Sequence, residues 1–177
     1  DYFFIIDEIN RGNLSKIFGE LFMLIETDKR EKVKLQLLYS DEKFSVPNNI
    51  YIIGMMNTAD RSLAMLDYAL RRRFAFYEMK PGFESEKFIK YRMNLNNPKF
   101  DRLINTVESL NNAIASDDAL GDGFKIGHSY FCNIKEITDA RLSNIVEYEL
   151  IPMLKEYWFD EPAKVKDWSN LLRSAIK

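Results

Sequence analysis

Two carboxylates, one amide and a run of guanidinium groups carry the chemistry open to this sequence. Asp7 and Glu8 follow directly on the apolar run Tyr2-Phe3-Phe4-Ile5-Ile6, and Asn57 closes a second run, Ile50-Tyr51-Ile52-Ile53-Gly54-Met55-Met56. Ligands of open α/β sheets bind at the carboxyl ends of the strands. If the two runs are neighbouring strands, Asp7, Glu8 and Asn57 converge on one crevice. Phosphoryl transfer uses such a set. One carboxylate holds magnesium, directly or through water, because that hard ion prefers oxygen. The second carboxylate or the amide orients the attacking water, and a strand-end asparagine can also sense the terminal phosphate. The transition state spreads negative charge over phosphoryl oxygens, and a guanidinium suits that charge better than an ammonium. Arg71-Arg72-Arg73 is the candidate source. Facing outward, it can reach the next subunit of a head-to-tail ring.

These groups need strands and helices to position them. A short continuous apolar run reads as a strand buried on both faces, as in a helix-covered parallel sheet. Asn13 can cap a helix running to about Glu26, with Leu14, Ile17, Phe18, Leu21, Phe22 and Ile25 on its buried face. Val33–Leu38 and Lys43–Val46 flank a turn at Ser40-Asp41-Glu42 and predict a hairpin. A short helix is expected over Ser62–Arg72 and a third strand over Phe74–Met79. Pro81-Gly82 marks a change of character, after which helices are expected at Ser85–Asn94, Pro98–Ser116, Asp139–Tyr157 and Pro162–Ile176. The reading is half of an α/β domain over residues 1–80, then a small all-helical domain over 81–177.

Composition excludes several classes. Of 177 residues, 46% are hydrophobic, enough for a real core, and the net charge of -2 offers no global attraction to nucleic acid. A single cysteine, Cys132, rules out an internal disulfide and fits a reducing cytoplasm; a single histidine, His128, rules out a histidine-rich metal site. Charges interrupt every apolar run before it reaches membrane-spanning length.

Phe3-Phe4-Ile5-Ile6-Asp7-Glu8 resembles the Walker B motif of AAA+ proteins. The extension Ile9-Asn10-Arg11-Gly12-Asn13-Leu14-Ser15-Lys16-Ile17-Phe18-Gly19-Glu20 resembles the McrB family, the GTPase subunits of 5-methylcytosine-specific restriction systems. So does Met56-Asn57-Thr58-Ala59-Asp60-Arg61-Ser62, that family's guanine-nucleotide-associated signature. Leu66-Asp67-Tyr68-Ala69-Leu70-Arg71-Arg72-Arg73-Phe74 is similar to the segment that AAA+ proteins place at subunit interfaces. The helical remainder resembles an AAA+ lid, most closely at Ile126-Gly127-His128-Ser129-Tyr130-Phe131.

The resemblance implies the C-terminal half of an AAA+ parallel-sheet core followed by a helical lid. It implies that Asp7 supports Mg2+, Glu8 activates water, Asn57 is the sensor, and Asp60 supports the signature loop on the nucleotide side. One of Arg71, Arg72 or Arg73 would act across the ring interface, with Arg11 a further interface candidate. The implied protein is a motor that hydrolyses GTP, with ATP the alternative, to translocate DNA. Its partners would be its own copies in a ring, a McrC-type nuclease, and DNA bound through the full-length protein; no membrane is implied. The chain departs from the pattern in having no G-x-x-x-x-G-K-[ST] phosphate loop. It is therefore read as a fragment beginning at Walker B, inactive alone and prone to self-associate through an unpaired sheet edge.

Blander readings stand beside these. One arginine of the run can answer a helix C-terminus. His128 reads as structural, Cys132 as a small core residue, and Trp158 and Trp168 with Tyr157 and Phe159 as lid packing. Capping accounts for at least one of Asn10 and Asn13. An ATP-dependent remodelling protein, a catalytically silent oligomerisation module and a metal-dependent nuclease are the competing functions; the nuclease lacks the further carboxylates such sites need.

Overall fold

The computed structural model describes residues 1–57, 59, 71–134 and 136–177, with the backbone alone at Leu14 and Ser15. The chain divides into two compact units, Asp1–Glu78 and Met79–Lys177.

In the first unit the two apolar runs form strands β1 (Tyr2–Ile6) and β4 (Ile50–Gly54). They pair in parallel, with Tyr2 opposite Ile50 and Ile6 opposite Gly54, so both chains leave the sheet at the same end. Between them lie the small antiparallel strands β2 (Leu35–Gln36) and β3 (Lys43–Phe44), shorter than the hairpin arms expected but in the expected place.

Three expectations for this unit are corrected. Tyr2 to Ile5 are not buried; they expose 54–70% of their surface, because among the described residues the β1–β4 sheet has only two strands. The helix from Asn13 is α-helical only over α1 (Leu14–Phe18) and continues as a 3₁₀ helix over Gly19–Ile25. Gly19 has a φ of +50°, a backbone state that ends an α-helix. In the 3₁₀ stretch Phe22 and Leu24 are buried, while Ile17, in α1, is exposed rather than inward. Phe74–Met79 forms no strand: Phe74 packs against a cluster around Ile9 and Phe22, while Tyr77 and Met79 are exposed. The helix expected over Ser62–Arg72 lies, but for its last two residues, outside the described residues.

The second unit is helical: α2 (Glu86–Leu95), α3 (Pro98–Ala115), α4 (Asp139–Asn144), α5 (Ile151–Tyr157) and α6 (Pro162–Ala175). Local chemistry sets the starts. The side chains of Ser85, Asn97 and Thr138 accept N–H bonds from the first turns of α2, α3 and α4. Pro98 and Pro162 sit where a missing N–H costs nothing. Between α4 and α5, Ile145–Leu150 is wound as a π-helix, so the whole stretch is continuous. Pro152 explains the widening: it cannot donate back along the helix and its ring crowds the carbonyl four residues earlier.

Phe100, Leu103, Ile104, Val107, Leu110 and Ile114 form one stripe of α3 and meet Leu142, Ile145, Leu150, Leu154, Trp158 and Leu172 in a continuous core. His128 proves structural here. Its Nδ1 accepts the Gly82 N–H at 3.0 Å, and its ring lies edge-on to Phe83 and Phe88. Cys132 is half-buried against the core, but Phe159 is exposed rather than packed. Among the described residues no helix is long and apolar enough to cross a membrane.

One polar knot closes this core. Asp117 accepts from the Trp158 indole N–H at 2.8 Å and from the Lys164 ammonium at 2.5 Å. The bond from Lys164, and then that from Trp158, hold its carboxyl at a pKa of about 2. A depressed folded-state pKa stabilises above the unfolded value and loses that contribution as pH falls through the folded one. The helical unit should therefore lose stability between about pH 4 and pH 2. Asp117→Asn should cost about 1–3 kcal/mol at pH 7 and flatten that acid limb. Urea titrations of both proteins from pH 7 to pH 2 check this; parallel acid limbs would deny Asp117 the role.

Candidate active site

Parallel pairing brings the polar strand ends together. After Ile6 the chain turns sharply: Glu8 has φ +50° and ψ +47°, a left-handed conformation unusual for a side chain with a Cβ, and a 3₁₀ turn follows over Ile9–Arg11. That turn is tied to the neighbouring strand. The Met55 N–H donates to the Ile6 carbonyl and the Ile9 N–H donates to the Met55 carbonyl, both at 2.9 Å. Ile9 then lies over Gly54, where a Cβ would stand 2.5 Å from the Ile9 Cδ1. Glycine at 54 is what lets the turn fold down onto the strand.

Asp7, Glu8 and Asn57 accordingly come to one end of the sheet, as their positions after apolar runs predict. An Asp7 carboxylate oxygen accepts the Glu8 N–H at 2.9 Å, which orients the exposed Asp7 side chain. The Glu8 carboxylate is ion-paired with the Arg11 guanidinium one 3₁₀ turn on. The Asn57 Oδ1 accepts the Ala59 N–H at 3.0 Å. Asn10 adds the cross-link: its Nδ2 donates to the Asn57 carbonyl at 3.4 Å, joining the turn after β1 to the turn after β4. Asp60 lies outside the described residues.

The arginine run divides. Arg71 and Arg72 are exposed. Arg73 turns into its own unit: its guanidinium sits 4.9 Å from the centre of the Phe22 ring and 2.7 Å from the Glu26 carboxylate. Lys29, and after it Arg73, hold the Glu26 carboxyl below its ordinary pKa. Arg30 was not singled out from sequence, yet it donates to the carbonyls of Ile25 and Ile50 and ties the end of the 3₁₀ helix to the start of β4. Nothing in the sequence distinguishes it from a solvated cation. Asn10 did carry a signal, since a second asparagine at Asn13 already accounts for the cap.

The donor set is all oxygen: Asp7, Glu8 and the Asn57 amide. That suits a hard divalent ion rather than zinc or copper. Among the described residues no cluster of three or more His, Cys, Asp or Glu side chains surrounds a cation position. Magnesium needs no such cage, because it keeps waters and takes its remaining ligands from substrate phosphates.

Residues 2–74 match the family model described as "AAA domain (dynein-related subfamily)", and residues 102–166 match "McrB, alpha-helical lid domain". The chain belongs to the McrB family of AAA+ proteins. The sheet fragment is part of the AAA+ core, and the helical unit carries the McrB lid. The chain is 50% identical, over 182 aligned residues, to the "Type IV methyl-directed restriction enzyme EcoKMcrB subunit" of Escherichia coli (strain K12). That alignment takes in 97% of this chain and 40% of the relative. It is also 30% identical over 103 residues to the "Type II restriction enzyme BsuMI component YdiS" of Bacillus subtilis (strain 168), covering 51% of this chain and 29% of that protein. The chain thus spans less than half the length of each relative.

Proposed function

We propose that this McrB-family chain belongs to the GTP-hydrolysing motor of a methyl-directed restriction system, which recognises 5-methylcytosine DNA and activates a McrC-type nuclease. The observation that carries the catalytic part is the parallel register of β1 and β4, which sets Asp7 and Glu8 beside Asn57, bridged by Asn10. The methyl-directed part rests on the likeness to the E. coli relative, whose name describes that activity.

Asp7 is the residue that would hold Mg2+, directly or through water, and the ion would supply positive charge to the phosphate oxygens. Glu8 takes the proton of the attacking water, once its carboxylate has left Arg11. Asn57 has amide N–H groups to donate to that water or to the terminal phosphate, and Asp60 supports the same loop. In a ring of identical subunits the cation facing the neighbour's phosphate falls to Arg71 or Arg72, since Arg73 is engaged with Glu26 and Phe22. The chain alone has no phosphate loop and hydrolyses no nucleotide.

Turnover of GTP and of ATP by the full-length protein, with and without the nuclease subunit, tests the reading. GTP-selective turnover that rises with the nuclease subunit is expected. ATP-selective turnover would move the protein to the remodelling class. No turnover of either would make it a silent ring module.

A further inference from the structure

We propose that Asn10 is a positioning residue for nucleotide hydrolysis: through the Asn57 backbone it holds the Asn57 amide in register with Glu8. Its role rests on the hydrolytic part given above to Glu8 and Asn57. If those two act on one water, their spacing must be fixed, and among the described residues no bond between their side chains fixes it. The Glu8 carboxylate is paired with Arg11, and the Asn57 Oδ1 with the Ala59 N–H.

Asn10 lies on the turn that carries Glu8, and that turn is braced on both sides of it. The Ile9 N–H donates to the Met55 carbonyl and the Arg11 N–H to the Glu8 carbonyl, both at 2.9 Å. Ile9 itself is buried against Phe22. From this fixed base the Asn10 Nδ2 reaches the Asn57 carbonyl at 3.4 Å. The orientation of the amide follows, since a flipped Asn10 would set its oxygen against the Asn57 carbonyl oxygen. With its carbonyl met by Asn10 and its Oδ1 by Ala59, Asn57 keeps its amide N–H groups to offer water or a phosphate.

Stability does not account for this asparagine. Its Oδ1 is buried and has no hydrogen-bond partner among the described residues. A buried acceptor left so costs folding free energy. The bond made in exchange is long, and it goes to an exposed residue whose carbonyl water could serve as well. A side chain that costs stability while tying two loops of one site together is placed for the site.

The test measures kcat and KM for GTP and for ATP, and the thermal midpoint, in the full-length protein. The variants are Asn10→Leu, Asn10→Asp, Asn57→Ala and the Asn10→Leu/Asn57→Ala pair. Asn10→Leu should lower kcat about 10- to 100-fold, as a misplacement of about 1 Å does, with KM moved by less than about threefold and the midpoint no lower. Asn10→Asp keeps the shape but puts an oxygen where the donor stands, and should be as slow. In the Asn57→Ala background Asn10→Leu should cost less than about threefold more, because nothing is left to position. An Asn10→Leu protein with the natural kcat, a midpoint that falls together with kcat, an active Asn10→Asp, or full multiplication of the two defects would each overturn the role of Asn10 while leaving hydrolysis by Glu8 standing. A natural protein inert toward both nucleotides would instead remove the hydrolytic reading, and the role of Asn10 with it.

Discussion

Glu8→Gln in the full-length protein should lower GTP turnover by about 10²–10⁴-fold while nucleotide binding survives, because the exchange removes only the group that accepts water's proton. Glutamine keeps the length, the planarity and one oxygen, so it can still occupy the left-handed turn at the end of β1. It cannot take a proton, and it no longer balances the charge of Arg11. The loss should fall on kcat rather than on KM, since a proton-acceptor role is exercised in the transition state. Asp7→Asn makes the comparison: its defect should shrink as Mg2+ is raised, whereas the Glu8→Gln defect should not. Measuring kcat and KM for both variants across a magnesium series checks the assignment. A Glu8→Gln protein with wild-type kcat would remove Glu8 from the chemistry. One whose defect is cured by magnesium would make Glu8, too, a metal-side residue.

What could be read of this site from sequence was the part governed by short-range rules. Two apolar runs each ending in polar residues predicted strands that deliver Asp7, Glu8 and Asn57 to one place, and the parallel register of Ile6 with Gly54 does so. The helix starts of the lid were equally legible, since Ser85, Asn97-Pro98 and Thr138 are capping signals that act within one turn. Failures came where a residue's state depends on distant chain. Phe74–Met79 has a strand-like composition, but a strand exists only if a partner edge lies beside it, and composition does not say so. Of the three adjacent arginines, only the fold reveals that Arg73 turns inward, because Glu26 and Phe22 are supplied from far away in sequence. The helix after Asn13 failed for a local reason: Gly19 is tolerated inside a helical pattern, and only its left-handed backbone exposes the break.

Asn111 was legible in principle, at helical spacing between Val107 and Ile114 on the buried face of α3, and it carries the second large effect. Its Nδ2 donates to the Ile126 carbonyl at 3.0 Å, and its Oδ1 accepts the Ile126 N–H at 2.6 Å. Ile126 is 1% exposed, so water cannot replace either bond. Asn111→Ala leaves two buried backbone groups without partners, at about 1–3 kcal/mol each, so a loss of about 2–6 kcal/mol is expected. Asn111→Leu should be no better, because filling the volume does not restore a donor or an acceptor. Phe100→Ala should cost a comparable 3–5 kcal/mol, roughly, through lost packing. The Asn111 variants and Phe100→Ala differ in where the damage appears. The Asn111 variants should lose hydrogen-exchange protection first at Ile126 and across the following turn that seats His128 and Phe131, well below global unfolding. Phe100→Ala should lower protection throughout the lid in proportion to its stability. Chemical denaturation with residue-resolved hydrogen exchange separates the two patterns. If Asn111→Leu proves as stable as the natural chain, the backbone of Ile126 does not depend on this side chain.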